Sequence, residues 1–129
     1  MQVSDWHDRY RSQAQWTKSL RQYIFNRLPS SPDWLVLEIG SGTGAVLEDA
    51  KSFFPNLIGL DLDLHALAFT EREGLSLVNA DAYALPFKSE SIDFVFCHYF
   101  LLWQKKPESL LEGLKPFLKP NGYLAALAE

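Results

Sequence analysis

An α/β domain on a parallel sheet is predicted by three observations. Five short apolar runs, about residues 34–39, 57–61, 75–79, 92–97 and 123–128, alternate with segments of helical spacing or turn residues. Unbroken alternation of this kind favours parallel strands joined by right-handed crossovers. The first run ends in Gly40-Ser41-Gly42-Thr43-Gly44, three glycines at alternate positions, and a helical pattern starts at Ala45. A strand, a tight glycine turn and a helix start together bring backbone N–H groups to the carboxyl edge of a sheet, beside the switch in strand order. With 129 residues, 47% hydrophobic and 14% aromatic, the chain can bury the core of one domain.

Residues 4–28 place Trp6, Tyr10, Ala14, Thr17, Leu20, Ile24 and Leu28 on one stripe of helical period, which predicts a single helix. Ser4 or Asp5 can cap it, and Pro29-Ser30-Ser31-Pro32 ends it. Residues 1–32 are thus an amino-terminal helix and linker, and 33–129 the α/β core, within one domain of residues 1–129. After the first strand, a helix is expected from Gly44 to Phe54, closed by Pro55-Asn56. The second strand ends in Asp61; Asp63 is placed to cap a helix over 64–73 that Gly74 terminates. Residues 81–91 read as irregular between strands three and four. A helix over 107–118 then meets Lys119-Pro120-Asn121-Gly122, a turn signature before strand five.

Composition narrows the functional classes. Net charge is −4, the wrong sign for gripping nucleic acid through phosphates. Arg9, Arg11, Lys18, Arg21 and Arg27 gather in the first segment, where a solvated helix face accounts for them. The single cysteine, Cys97, excludes an internal disulfide and any multi-cysteine metal site. His7, His65 and His98 have no metal-ligand spacing, so no metal is expected. No apolar run approaches 18 residues, and the first residues lack a signal-peptide core. The expected location is the cytoplasm, with no membrane partner.

Asp61 follows Gly40 by twenty-one residues, at the end of the next strand. An acid at that offset can accept both hydroxyls of a ribose, so the chain should hold a nucleoside-containing cofactor. The glycines admit two readings. Gly40-x-Gly42-x-x-Ala45 satisfies the relaxed dinucleotide fingerprint, whereas Gly40-x-Gly42-x-Gly44 preceded by Glu38 resembles the first motif of class I S-adenosylmethionine-dependent methyltransferases. Glu38 discriminates physically. A carboxylate near the end of a doubly covered strand is expensive unless paired. A dinucleotide's pyrophosphate would repel it, while the ammonium and sulfonium of S-adenosylmethionine would attract it.

Later motifs extend the resemblance. Leu57-Ile58-Gly59-Leu60-Asp61-Leu62-Asp63 looks like the family's second motif. Asn79-Ala80-Asp81-Ala82, with Leu85-Pro86-Phe87 and Ser91-Ile92-Asp93-Phe94-Val95, is similar to the third and fourth. Leu118-Lys119-Pro120-Asn121-Gly122-Tyr123 resembles the turn before the fifth strand. The resemblance, to the type 11 branch of the family, implies a Rossmann-like three-layer fold of about five strands in the order 3-2-1-4-5. It implies that Gly40, Gly42 and Gly44 line the methionine part of the cofactor and that Glu38 orients its ammonium. Asp61 would take the ribose hydroxyls, Asp81 the adenine amino group, and Leu62 and Ala82 would flank the adenine. Ser41 and Cys97 join the cofactor-binding set on the same ground. Asp93, by contrast, reads as a structural residue at the remote edge.

Methyl transfer from a sulfonium needs alignment and a dry site, and a base only where the acceptor must lose a proton. Candidates near the reacting carbon are His98, Tyr99 and Trp103. His98 can act as a base or be a strand-end histidine bonded to a backbone carbonyl. Trp6, Tyr10 and Trp16 can form a lid, although aromatics at helical spacing are more often core. The amino-methylating motif of nucleic-acid enzymes is absent, Cys97-His98-Tyr99-Phe100 standing there instead. The expected activity is methylation of a small molecule or a protein side chain. A non-catalytic cofactor-binding scaffold working with a partner chain is the alternative. The family normally continues into a helix and an antiparallel strand pair beyond strand five, whereas this sequence stops at Glu129. A truncated polypeptide, a covering second chain (homo-oligomerisation through the strand-five edge) and a reduced fold all account for that.

Overall fold

The computed structural model describes residues 2–129; Met1 lies outside them. Strands β1 (Leu35–Ile39), β2 (Asn56–Asp61), β3 (Ser76–Asn79), β4 (Ile92–His98) and β5 (Leu118–Leu127) form one sheet. Its order is β3-β2-β1-β4-β5, as expected, and every neighbouring pair is parallel. The helices are α1 (Val3–Trp16), α2 (Lys18–Arg27), α3 (Leu47–Ala50), α4 (Leu64–Phe69) and α5 (Pro107–Leu114), with 3-10 turns at Leu101–Trp103 and Lys115–Phe117.

Strand alternation divides the core in two. One cluster joins Val36, Phe94 and Phe96 of the sheet to Ala14, Phe25, Leu47 and Ala50 of α1, α2 and α3. Phe25 lies within 6.0 Å, centroid to centroid, of four other phenylalanine rings. The second cluster joins Leu37, Ile39, Val95 and Cys97 to Leu110 and Leu114 of α5. Register pairs Glu38 with Gly59 of β2 and Phe96 of β4. Glu38 therefore stands on the Val36 face at the sheet's centre, under the amino-terminal helices.

Several elements differ from the sequence expectation, each for a visible reason. The expected single helix over 4–28 breaks at Thr17 (φ −107°, ψ 6°). The break turns Arg21 and Phe25 inward in place of Leu20, so Arg21 is no part of a solvated face: it is only 1% exposed. The segment 44–54 is mostly turns, because Asp49 N and Phe53 N reach only three residues back for their acceptors; just Leu47–Ala50 is regular helix. Asp63 caps α4 as expected, but α4 stops at Phe69. Thr70 turns extended there and donates its hydroxyl to the carbonyls of Ala66 and Gly42. Pro116 lacks an N–H, and α5 gives way to the 3-10 turn. The expected turn at 119–122 is absorbed into β5 as an irregularity, the register jumping from Ile92↔Leu118 to Phe94↔Tyr123. Asp93 ties the amino edge, its Oδ2 accepting from Leu35 N at 2.8 Å and from Lys119 Nζ at 3.1 Å. Among the described residues, no helix is long and apolar enough to cross a membrane.

Candidate functional site

The glycine loop is bolted to the end of β2. Gly40 N and Ser41 N both donate to Leu60 O, at 2.8 and 3.0 Å. Gly42 N donates to Asp61 Oδ2 at 2.8 Å, and Asp63 N to Asp61 Oδ1 at 2.8 Å. Gly40 and Gly42 hold φ of +71° and +56°, a region that side-chain-bearing residues disfavour. A Cβ at Gly40 would collide with the Phe100 ring, whereas one at Gly42 would meet nothing within 4 Å. The loop thus bends for packing at Gly40 and leaves open space above Gly42.

That space belongs to a cavity of about 580 Å³ at the carboxyl ends of β1, β2 and β4, a size suited to a cofactor or small ligand. Glu38, Gly40, Ser41, Gly42, Asp61 and His98 all line it. Trp6 and Tyr10 of α1 and the segment from Tyr99 to Trp103 wall the other side. Trp6 and Tyr10 are 41% and 39% exposed, so they face the cavity mouth and are not core; Trp16 does not line it. The remaining expected residues lie elsewhere. Leu62, Asp81 and Ala82 do not line the cavity: Leu62 is exposed, its carbonyl and that of Asp61 accepting from Asn79 Nδ2 at 3.0 Å, and Ala82 packs against the α5-side core cluster. Asp81 Oδ1 accepts from Tyr83 N at 2.9 Å, so this acid also shapes its own turn. Gly44 packs against Thr70. Cys97 does not line the cavity either: alternation along β4 turns it onto the α5 face, away from Glu38. It is buried there, and its thiol donates to Glu129 Oε1. Burial and the Glu129 carboxylate push that thiol far above the ordinary range.

Glu38 dominates the electrostatics. It is 2% exposed, and its Oε1 has no hydrogen-bond partner. Burial raises its pKa from 4.5 to about 8; Arg21 opposes the rise and Asp61 adds to it. The Arg21 guanidinium acts on Glu38 only through its field, being bonded to Asp49 Oδ2, Ala14 O and Thr17 Oγ1. Ser41 Oγ is the other buried polar atom left without a partner. His98 bonds the Thr17 hydroxyl at 2.7 Å in place of the backbone carbonyl expected for a strand-end histidine. Burial and Arg21 lower its pKa to about 4, against a smaller opposite effect of Glu129.

Three contributors escaped the sequence reading. His7 Nδ1 lies 2.8 Å from Thr43 Oγ1 and pins α1 to the glycine loop. Arg21 underlies the cavity. Glu129 accepts from the amides of Phe100 and Leu101, at 3.1 and 2.9 Å, and so anchors the segment that walls it. No spacing pointed to Arg21, because the seven-residue row it shares with His7 and Ala14 is interrupted by the break at Thr17.

The donor set fits a cation better than an anion. A positively charged ligand group would supply Glu38 with the partner it lacks, whereas a pyrophosphate would add like charge beside it. A doubly wound sheet, a glycine loop at its switch point and an acid closing the second strand define a nucleoside-cofactor-binding α/β domain. Residues 37–126 match the methyltransferase domain family, and the chain belongs to it, as a class I S-adenosylmethionine-dependent methyltransferase domain. It is 34% identical over 122 residues to a malonyl-[acyl-carrier protein] O-methyltransferase of Marinomonas sp., covering 89% of this chain and 45% of that protein. It is 30% identical over 124 residues to the biotin biosynthesis bifunctional protein BioHC of Cellvibrio japonicus, covering 92% of this chain and 25% of that one. The chain therefore spans less than half the length of these relatives. A methyltransferase of Haloferax volcanii, solved in complex with the Trm112 methyltransferase activator, superposes with a TM-score of 0.77 at 25% identity, over 96% of this chain and 57% of that one.

Proposed function

We propose that this domain binds S-adenosylmethionine and methylates an oxygen of a small-molecule or protein-carried acceptor. The observation that carries the proposal is Glu38: a buried, partnerless carboxyl facing a cavity floored by the glycine loop. In this assignment Glu38 holds the ammonium of the methionine part, with Gly40, Ser41 and Gly42 against it. Asp61 takes the ribose hydroxyls; both of its oxygens accept one backbone N–H already and each retains a further lone pair. Leu62, Asp81 and Ala82, outside the cavity lining, are assigned the adenine on the family resemblance. S-adenosylmethionine supplies, when bound, a methyl group already activated by the sulfonium. The chain's own contribution is orientation and exclusion of water, for which Trp6, Tyr10 and Trp103 wall the mouth. An oxygen acceptor is favoured by the relative whose name specifies O-methylation of a malonyl carrier.

Calorimetric titration with S-adenosylmethionine and with NAD, side by side, tests the cofactor. Binding of the sulfonium compound and not of the dinucleotide is expected; the opposite preference overturns the assignment. Transfer of labelled methyl to a malonyl thioester then tests the acceptor.

A further inference from the structure

Building on the methyltransferase reading, we propose that His98 serves the cavity as a fixed hydrogen-bond donor for an anionic acceptor oxygen, Thr17 and Arg21 being the positioning residues that lock its Nδ1–H tautomer. The bonds around Thr17 carry this. Arg21 Nη1 donates to Thr17 Oγ1 at 2.7 Å, and a guanidinium can only donate. The Thr17 hydroxyl must place its own proton elsewhere. Toward the carbonyls of Gln13 and Ala14 it can donate only at 3.4 Å, a long O–H···O contact, and the second also accepts from Arg21 at 2.8 Å. His98 Nε2 lies at 2.7 Å, so the short contact takes the proton and Nε2 accepts it.

A neutral imidazole that accepts at Nε2 carries its hydrogen on Nδ1. Burial together with the Arg21 guanidinium of α2 keeps the ring neutral, against the opposing Glu129 carboxylate at the end of β5. Among the described residues Nδ1 has no hydrogen-bond partner, and His98 lines the cavity. The chain Asp49–Arg21–Thr17–His98 thus runs from α3 to the ligand space. At its end stands a donor with nothing of the protein to bond. A donor recognises an oxygen lone pair, and a carboxylate is the acceptor class that loses no proton on methylation. His98 is then not asked to be a base.

The test uses the whole chain labelled with ¹⁵N-histidine, at pH 7. Long-range ¹H–¹⁵N correlation reports the tautomer of each of the three histidines, and His98→Asn assigns the His98 signals. The expected pattern is Nδ1–H in the wild type and in Thr17→Ser, and a shift toward Nε2–H in Thr17→Val. An Nε2–H pattern in the wild type, or an unchanged pattern in Thr17→Val, overturns the lock. Malonate is then titrated into the protein, a saturable shift of the His98 Nδ1–H resonance being expected. No response to malonate overturns the recognition of an anionic oxygen. Calorimetry with S-adenosylmethionine on the same samples separates the two readings. A protein that fails to bind the cofactor yet shows the Nδ1–H tautomer refutes the methyltransferase assignment and leaves the lock standing.

Discussion

Replacing Glu38 by glutamine removes a titrating carboxyl while keeping its shape, and the consequence for stability can be worked out from the burial. The group ionises at about 4.5 in an unfolded chain and at about 8 in the fold, chiefly because burial desolvates the charge. Each pH unit of difference is worth about 1.4 kcal/mol, so ionised Glu38 costs the fold about 5 kcal/mol above pH 8. The sign follows from proton binding: between these values the folded state holds a proton that the unfolded state has released. The contribution is therefore fully present below pH 4.5 and is lost as pH rises through about 8. Urea denaturation of wild type and Glu38→Gln from pH 5 to 9 measures it, the difference between the two isolating Glu38. Wild type should lose stability relative to the variant at up to about 1.4 kcal/mol per pH unit, then level off above pH 8. Saturating S-adenosylmethionine should flatten the slope in the wild type, and its binding at pH 7 should release protons to the buffer. Parallel stability curves for the two proteins would refute the buried, partnerless state of Glu38, and with it the reason for expecting a cation.

Asp61→Ala removes the acceptor for Gly42 N and Asp63 N; calorimetry should show cofactor affinity weakened by roughly 1–3 kcal/mol, and unchanged affinity would exclude a ligand role. Gly40→Ala should fail to reach a native thermal transition, since its Cβ meets the Phe100 ring. Gly42→Ala should fold with a loss of about 1–2 kcal/mol from its left-handed backbone; equal melting of the two variants would contradict the loop geometry. Phe25→Ala empties the site where four phenylalanine rings converge and should cost about 3–5 kcal/mol in urea denaturation. The outer edge of β5 pairs with no strand among the described residues, and Tyr123 and Leu124 are exposed beside it. Light scattering over a wide concentration range should show association, and Leu124→Lys should suppress it; a constant monomeric mass would end that expectation.

Much of this molecule is local in origin and so could be read from residues in line. Apolar runs separated by turn chemistry specify five strands, and alternation with helical segments specifies parallel pairing; the 3-2-1-4-5 order followed only from the family resemblance. Three alternate glycines require a bend that few other residues adopt, and Glu38 at the end of an apolar strand announces a charge in need of a partner. What only the tertiary structure decided concerns facing and helix breaks. Alternation along β4 lets Cys97 or His98 look toward Glu38, but not both, and the packing of α2 chose His98. The α1–α2 break at Thr17 rotates Arg21 inward by tertiary demand, against a stripe that favoured Leu20 and a charge that favoured water. Helical periodicity reports which residues share a face over one unbroken helix; it carries no information across a kink. The polar chain beneath the cavity depends on that kink, because partners 28 and 81 residues apart meet only once the sheet has brought α2 over β4.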